Sequence, residues 1–230
     1  MGHHAAFGLR AHRRFAMNAL EAIARLRKLR IPVFETSEAA AVLGLSTSAT
    51  TKALSRLADA GIISSIRHGV WWLDGPIDPF RLCGYLTAPM PCYLSLQTAL
   101  HLRGMIEQIP ESHFAVSLAR TQDLVTTVGT FSIHHIDPAL FGGFDESSEG
   151  VWLATSEKAL FDVAYLSGGR SRMFTNLPEL ELPDRFRWAE LRRWIDKTPS
   201  AQRRTLVVRW LERLLAKKGR ATNLPRWLSL

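Results

Sequence analysis

The chain has 230 residues, 47% of them hydrophobic, and a formal net charge of +8 at pH 7. That apolar fraction suits one large or two modest packed domains. No apolar run approaches the ~20 residues of a membrane span, so a cytoplasmic protein is expected. Cys83 and Cys92 are the only cysteines. They are too few for a disulfide framework and lack the paired spacing of a zinc site, so two reduced thiols are expected.

The charge is unevenly placed. Residues 1–79 carry 10 Lys and Arg against 6 Asp and Glu, residues 80–165 carry 4 against 9, and residues 166–230 carry 15 against 6. An acidic middle is therefore flanked by two basic ends, and clustered Lys and Arg attract phosphate through counterion release. The last basic end suits either DNA or an acidic protein partner.

In chain order, Phe15 to Leu29 reads as an amphipathic helix. Leu20, Ile23 and Leu26 face inward, Arg25, Arg27, Lys28 and Arg30 face outward, and Pro32 ends it. Thr36 or Ser37 is the expected N-cap of a second helix leading into Val42 and Leu43, and Gly44 supplies its left-handed stop. Leu45 plugs the turn, Ser46 caps a third helix, and Ala53, Leu54, Leu57 and Ala58 recur at helical spacing up to Gly61. Thr47, Ser48, Thr51, Lys52, Ser55 and Arg56 lie off that apolar stripe. Short hydroxyls reach base edges and phosphates at close range, and the two cations neutralise backbone charge. Ile62, Ile63 and Ile66 mark a strand, Arg67-His68-Gly69 a tight turn, and Val70 to Leu73 the returning strand. The whole stretch, Thr36 to Leu73, reads as a winged helix-turn-helix whose candidate DNA-binding residues are Thr47, Ser48, Thr51, Lys52, Ser55, Arg56, Arg67 and His68.

Asp74 to Pro79 has linker character. It divides the chain into a winged-helix DNA-binding domain, residues 1–78, and a second domain, residues 79–230. In the second, Leu94 to Leu102 and Thr155 to Tyr165 read as helices. His113 to Leu118, Thr130 to Ile136 and Gly150 to Leu153 read as strands, giving an α+β class with no βαβ rhythm. Trp188 to Ile195 and Ala201 to Ala216 read as tail helices. Arg203, Arg204, Arg209, Arg213, Lys217, Lys218 and Arg220 coat the last of them. Trp188, Trp194, Trp210 and Trp227 interleave with arginines, a pattern that serves base stacking or cation–π packing.

Enzyme chemistry finds little to stand on. Glu157 and Lys158 are adjacent, so on a helix they diverge by about 100° and do not form a nuclease-type acid-spacer-lysine set. Glu157 reads as a first-turn acid favoured by the helix dipole, and Asp162 as a polar or ion-paired structural position. A nucleotidyltransferase needs two aspartates one residue apart, and Asp-x-Asp does not occur. His134 and His135 alternate on a strand and do not share one ion. Glu107 stands four residues beyond Arg103 and is expected to pair with it, near His101. No catalytic residue, cofactor or metal is assigned.

Three segments carry a resemblance: PCYLSLQTALHLRGMIEQIP (Pro91 to Pro110), TVGTFSIHHIDPALFGGF (Thr127 to Phe144) and GVWLATSEKALFDVAYL (Gly150 to Leu166). Following a helix-turn-helix, they resemble the AbiEi antitoxins of type IV toxin-antitoxin systems over roughly residues 35–166. The matching positions are Ser95, Ala99, Leu100, His101 and Gly104, Gln108-Ile109-Pro110, Phe131 to Ile136, and Glu157 to Leu160 with Asp162. Ser156 stands where relatives often carry proline. The resemblance implies a transcriptional autorepressor that binds promoter inverted repeats in double-stranded DNA, as a monomer or dimer, and counteracts an AbiEii-like nucleotidyltransferase toxin. The alternative is a ligand-responsive winged-helix regulator unconnected to a toxin.

Overall fold

A computed structural model describes residues 18–73, 75–147, 150–167, 179–216 and 225–228. Its internal contacts divide the chain into two units, Met1–Gly75 and Pro76–Leu230. The class is α+β, with helices and two sheets. None of the described helices is long and apolar enough to cross a membrane.

The first unit runs α1 (Ala19–Leu26), β1 (Val33–Glu35), α2 (Thr36–Leu43), α3 (Thr47–Asp59), β2 (Ser64–Arg67) and β3 (Val70–Trp72). The three strands form one antiparallel sheet in the order β1-β3-β2. Its core joins Ala22 and Leu26 of α1, Phe34, Ala39, Leu43, Leu54, Leu57, Ile63 and Trp71. Asn18 caps α1 by accepting from the Glu21 N–H at 2.7 Å, and a 3₁₀ turn over Arg27–Leu29 closes it.

Two expectations for α1 need correction. Leu20 is 77% exposed, because Ala22 takes the inward place beside Leu26. Arg25 is half-buried, donating to the Leu43 carbonyl at the end of α2 (3.1 Å) and to Glu21 (2.6 Å). It satisfies an orphan carbonyl, as a basic side chain at a helix C-terminus does. The start of α2 also differs from expectation. Neither Thr36 nor Ser37 is the N-cap; Glu35 is, and the Glu38 carboxylate accepts its backbone N–H at 2.7 Å.

The second unit runs α4 (Pro79–Leu86), β4 (Cys92–Leu94), α5 (Leu96–Leu102), β5 (Ser112–Ser117), β6 (Gln122–Thr126), β7 (Gly129–His135), β8 (Phe144–Glu146), β9 (Trp152–Ala154), α6 (Ser156–Ser167), α7 (Trp188–Lys197) and α8 (Ala201–Ala216). Six strands make one mixed sheet in the order β6-β7-β5-β4-β9-β8. The β5–β7 and β4–β9 pairs are parallel and the rest antiparallel. Helix α6 packs against α5, α7 and α8. Glu157 through Ala164 are all buried, so α6 is the central helix of this unit.

The expected linker is partly helical here. Asp78 caps α4 by accepting the Phe80 N–H at 2.9 Å, with Pro79 preset in the first turn. Asp74, Lys217, Lys218 and Arg220, read above as linker or coat residues, lie outside the described residues. The two thiols are free and buried, and α4 and β4 bring their sulfurs to 2.7 Å.

Candidate nucleic-acid interface

Helix α3 begins where the Ser46 hydroxyl accepts the Ala49 N–H at 3.3 Å. Thr50, Leu54 and Leu57 turn inward. Thr47, Ser48, Thr51, Lys52, Ser55 and Arg56 are all exposed. At 100° per residue they share one side of the helix, spanning about 180°. Asp59 is the acid on that side and stands at the last residue of α3. The Thr51 hydroxyl donates to the Thr47 carbonyl at 3.0 Å, which leaves its methyl group and lone pair for a ligand. Ser48 and Ser46 share a hydroxyl contact of 3.3 Å.

The β2–β3 hairpin turns at His68-Gly69, where Gly69 adopts φ +75°, a region open to glycine. Arg67 and His68 are exposed at its tip. Ser65 pairs with Trp71 and Arg67 with Val70, so Ile66 is an extra residue that bends the ribbon. Strand β1 fixes the other side of β3 through Phe34 opposite Trp71.

One residue ties α2 to this hairpin. The Thr36 hydroxyl accepts the Trp71 Nε1–H at 2.9 Å and donates to the Gly69 carbonyl at 3.2 Å. The Thr36 backbone N–H donates to that same carbonyl at 2.9 Å. Beside the tie lies a cleft of about 550 Å³ lined by Glu35, Thr36, Ser37, Arg67, His68 and Gly69. The local pattern offers Thr36 or Ser37 as a cap and does not show this role; its one signal is a hydroxyl residue and a tryptophan at the two ends of the stretch. Of the expected α1 cations, Arg27, Lys28 and Arg30 are exposed, whereas Arg25 is engaged as described.

In the second unit the segments that carry the resemblance supply β4, α5, β7, β9 and α6, and residues from β4 to α6 converge on one buried cluster. Lys158 and Asp162 form an ion pair on successive turns of α6, both side chains fully buried. Asp162 also accepts from the Ser95 hydroxyl at 2.7 Å and the Tyr93 hydroxyl at 3.0 Å. The Lys158 ammonium lies 4.7 Å from the Trp194 ring centroid and 5.0 Å from that of Phe161. Burial pushes the Lys158 ammonium down from its ordinary value and the Asp162 carboxyl up. Gly143 permits this packing, since a Cβ there would sit 2.6 Å from Trp194.

Glu157 is the first-turn acid of α6, as expected, and is buried. Burial works to raise its carboxyl, but the Arg187 guanidinium and backbone N–H, the latter at 2.8 Å, hold it below the usual carboxylate range. The expected Arg103–Glu107 pair is replaced. Arg103 reaches Asp145 at 2.7 Å and the carbonyls of Ala154 and Leu153, because the chain leaves α5 at Leu102 before a further helical turn can align Glu107. Trp194 and Trp227 stack on Lys197 and Arg192 within the protein, the cation–π alternative.

His134 and His135 do point to opposite sides of β7, one buried and one exposed. His134 Nε2 lies 3.1 Å from Ser132 Oγ, whose own proton goes to Asp123 at 2.6 Å, so Nε2 must carry the hydrogen. Burial holds this imidazole below its ordinary value, with Asp123 opposing. The unfolded chain then binds the proton first as pH falls through about 6.5. This contribution to stability is fully present above that pH and is lost as pH drops toward the folded-state value. Denaturant midpoints should therefore fall between pH 7 and 5, and fall less in His134→Gln; equal slopes would assign the effect to another group.

No family model matches the chain, and no curated protein matches it.

Proposed function

We propose that this chain is a DNA-binding transcriptional autorepressor of the winged-helix type and an antitoxin. The observation that carries the first half is the exposed face of α3 together with the hairpin tip. Six small or cationic residues on α3, with Arg67 and His68 beyond them, stand clear of the core on a helix of groove-filling size. The helix-strand-helix-helix-strand-strand order is that of a winged helix, with α3 as reading helix and the β2–β3 hairpin as wing. A duplex from the segment upstream of the gene should be shifted by the purified chain at low salt. No shift at low salt removes the reading.

The antitoxin half rests on the resemblance, whose matching residues Ser95, Lys158 and Asp162 belong to the buried framework of the second unit. An antitoxin acting through that unit protects cells independently of promoter binding. The full chain with its α3 face replaced by alanine should still rescue cells that express an adjacent nucleotidyltransferase-like gene. Loss of rescue in step with loss of DNA binding would mean that repression alone protects.

A further inference from the structure

We propose that Thr36 is the positioning residue that sets the wing against the reading helix. This rests on the winged-helix reading of the first unit and deepens it. Strands β2 and β3 carry between them a tip two residues long, so the direction of Arg67 and His68 depends on how Gly69 and Trp71 are held. Thr36 holds both. It is 9% exposed, and its single hydroxyl acts as acceptor for the Trp71 indole and donor to the Gly69 carbonyl, while its N–H makes a second bond to that carbonyl.

The chemistry narrows what can replace it. A hydroxyl both accepts and donates; valine has the same shape and does neither, and it leaves the Trp71 N–H buried without this acceptor. Thr36 also opens α2, which packs on α3. The hairpin and the start of α2 thus share one hydrogen-bonded corner, and α2 in turn packs on α3. Beside the core that Leu54 and Leu57 share with Ile63 and Trp71, this corner fixes the direction of the hairpin tip that carries Arg67.

The test is a set of salt titrations on the upstream duplex and a scrambled control, using the native chain, Thr36→Val and Thr36→Ser, each with and without Arg67→Ala. In the native and Thr36→Ser chains, Arg67→Ala should lower the salt slope by ~0.9, the share of one phosphate contact. In Thr36→Val it should lower the slope by less than half as much, because the tip has lost both bonds of the hydroxyl and keeps only the Thr36 backbone bond and the β1 ladder. A full effect of Arg67→Ala in Thr36→Val shows that Thr36 does not set the wing. Exchange of the Trp71 indole proton reads the tie without DNA. It should be slow in the native and Thr36→Ser chains and about tenfold or more faster in Thr36→Val. Equal exchange in all three, or native exchange as fast as free tryptophan, overturns the tie even if Thr36→Val does not fold. A native chain that binds neither duplex at low salt defeats the DNA reading, and the exchange result still decides the tie.

Discussion

Lys52→Ala and Arg56→Ala should both weaken duplex binding, and they should do so with different signatures. Lys52 is a compact ammonium on the exposed face of α3, suited to a phosphate as a point charge. Its loss should weaken binding to every sequence alike and reduce the salt slope by about one. Arg56 carries a planar fork that matches the O6 and N7 atoms of guanine. If it reads a base, its removal costs about 1–3 kcal/mol and relaxes preference at one position of the operator. The exposed face is sparingly charged, because Arg25 is committed to the Leu43 carbonyl and Glu35 lines the cleft at the hairpin tip. With Lys52 and Arg67 on phosphates and Arg56 on a base, one copy should show a slope near −2, and two copies on an inverted repeat about −4, from ~0.9 per contact. A steeper slope per copy would bring Arg27, Lys28 and Arg30 into the interface. Alanine at all six α3 positions removes no buried side chain, so the fold should survive. Unchanged affinity in that variant sinks the recognition-helix assignment.

The helices and hairpin of the first unit are legible in the sequence because their signals are local. Gly44 ends α2 at φ +69°, Ser46 caps α3, and the two-residue turn at His68-Gly69 follows from glycine's tolerance of positive φ. What escaped the sequence was non-local. Strand β1 has three residues after a proline, and its reason for being extended is β3, across more than thirty residues of chain. The edge strands β6 and β8 are short and half-exposed, and their partners rather than their composition make them strands. Thr36 shows the same limit at one residue. A threonine before a helical run has the local signature of a cap, yet Trp71 competes for its oxygen from the far end of the motif. Glu157 stands in the first turn of α6 as expected, but its burial has a non-local cause. A first-turn acid is ordinarily solvated, and only the fold brings the backbone of Arg187 onto it.

The second large effect belongs to Asp162. Asp162→Ala should destabilise the second unit by about 3–5 kcal/mol, the range for removing one member of a buried ion pair. The reason is Lys158, which is left with aromatic rings and no counterion on a helix with no exposed flank at that position. A ring compensates a desolvated ammonium by about 2 kcal/mol or more, short of the cost of burying an unpaired charge, so Lys158 surrenders its proton to stay inside. That makes the loss pH-dependent with a definite sign. Burial already lowers the Lys158 value, and removing Asp162 lowers it further, so the unfolded state holds the extra proton at neutral pH. Stability of the variant should rise as pH climbs from 7 toward 10, where the unfolded lysine also deprotonates. Asp162→Asn keeps acceptors for Ser95 and Tyr93 and should fall between the two. Lys158→Met with Asp162→Leu replaces the pair by apolar side chains and should recover most of the loss, although Ser95 and Tyr93 then lack their acceptor. Denaturant titrations of the four chains at pH 7 and 9 separate these cases. A single Asp162→Ala variant as stable as the native chain, with no gain at higher pH, would show that Lys158 finds water and that the pair is not what holds α6 in the core.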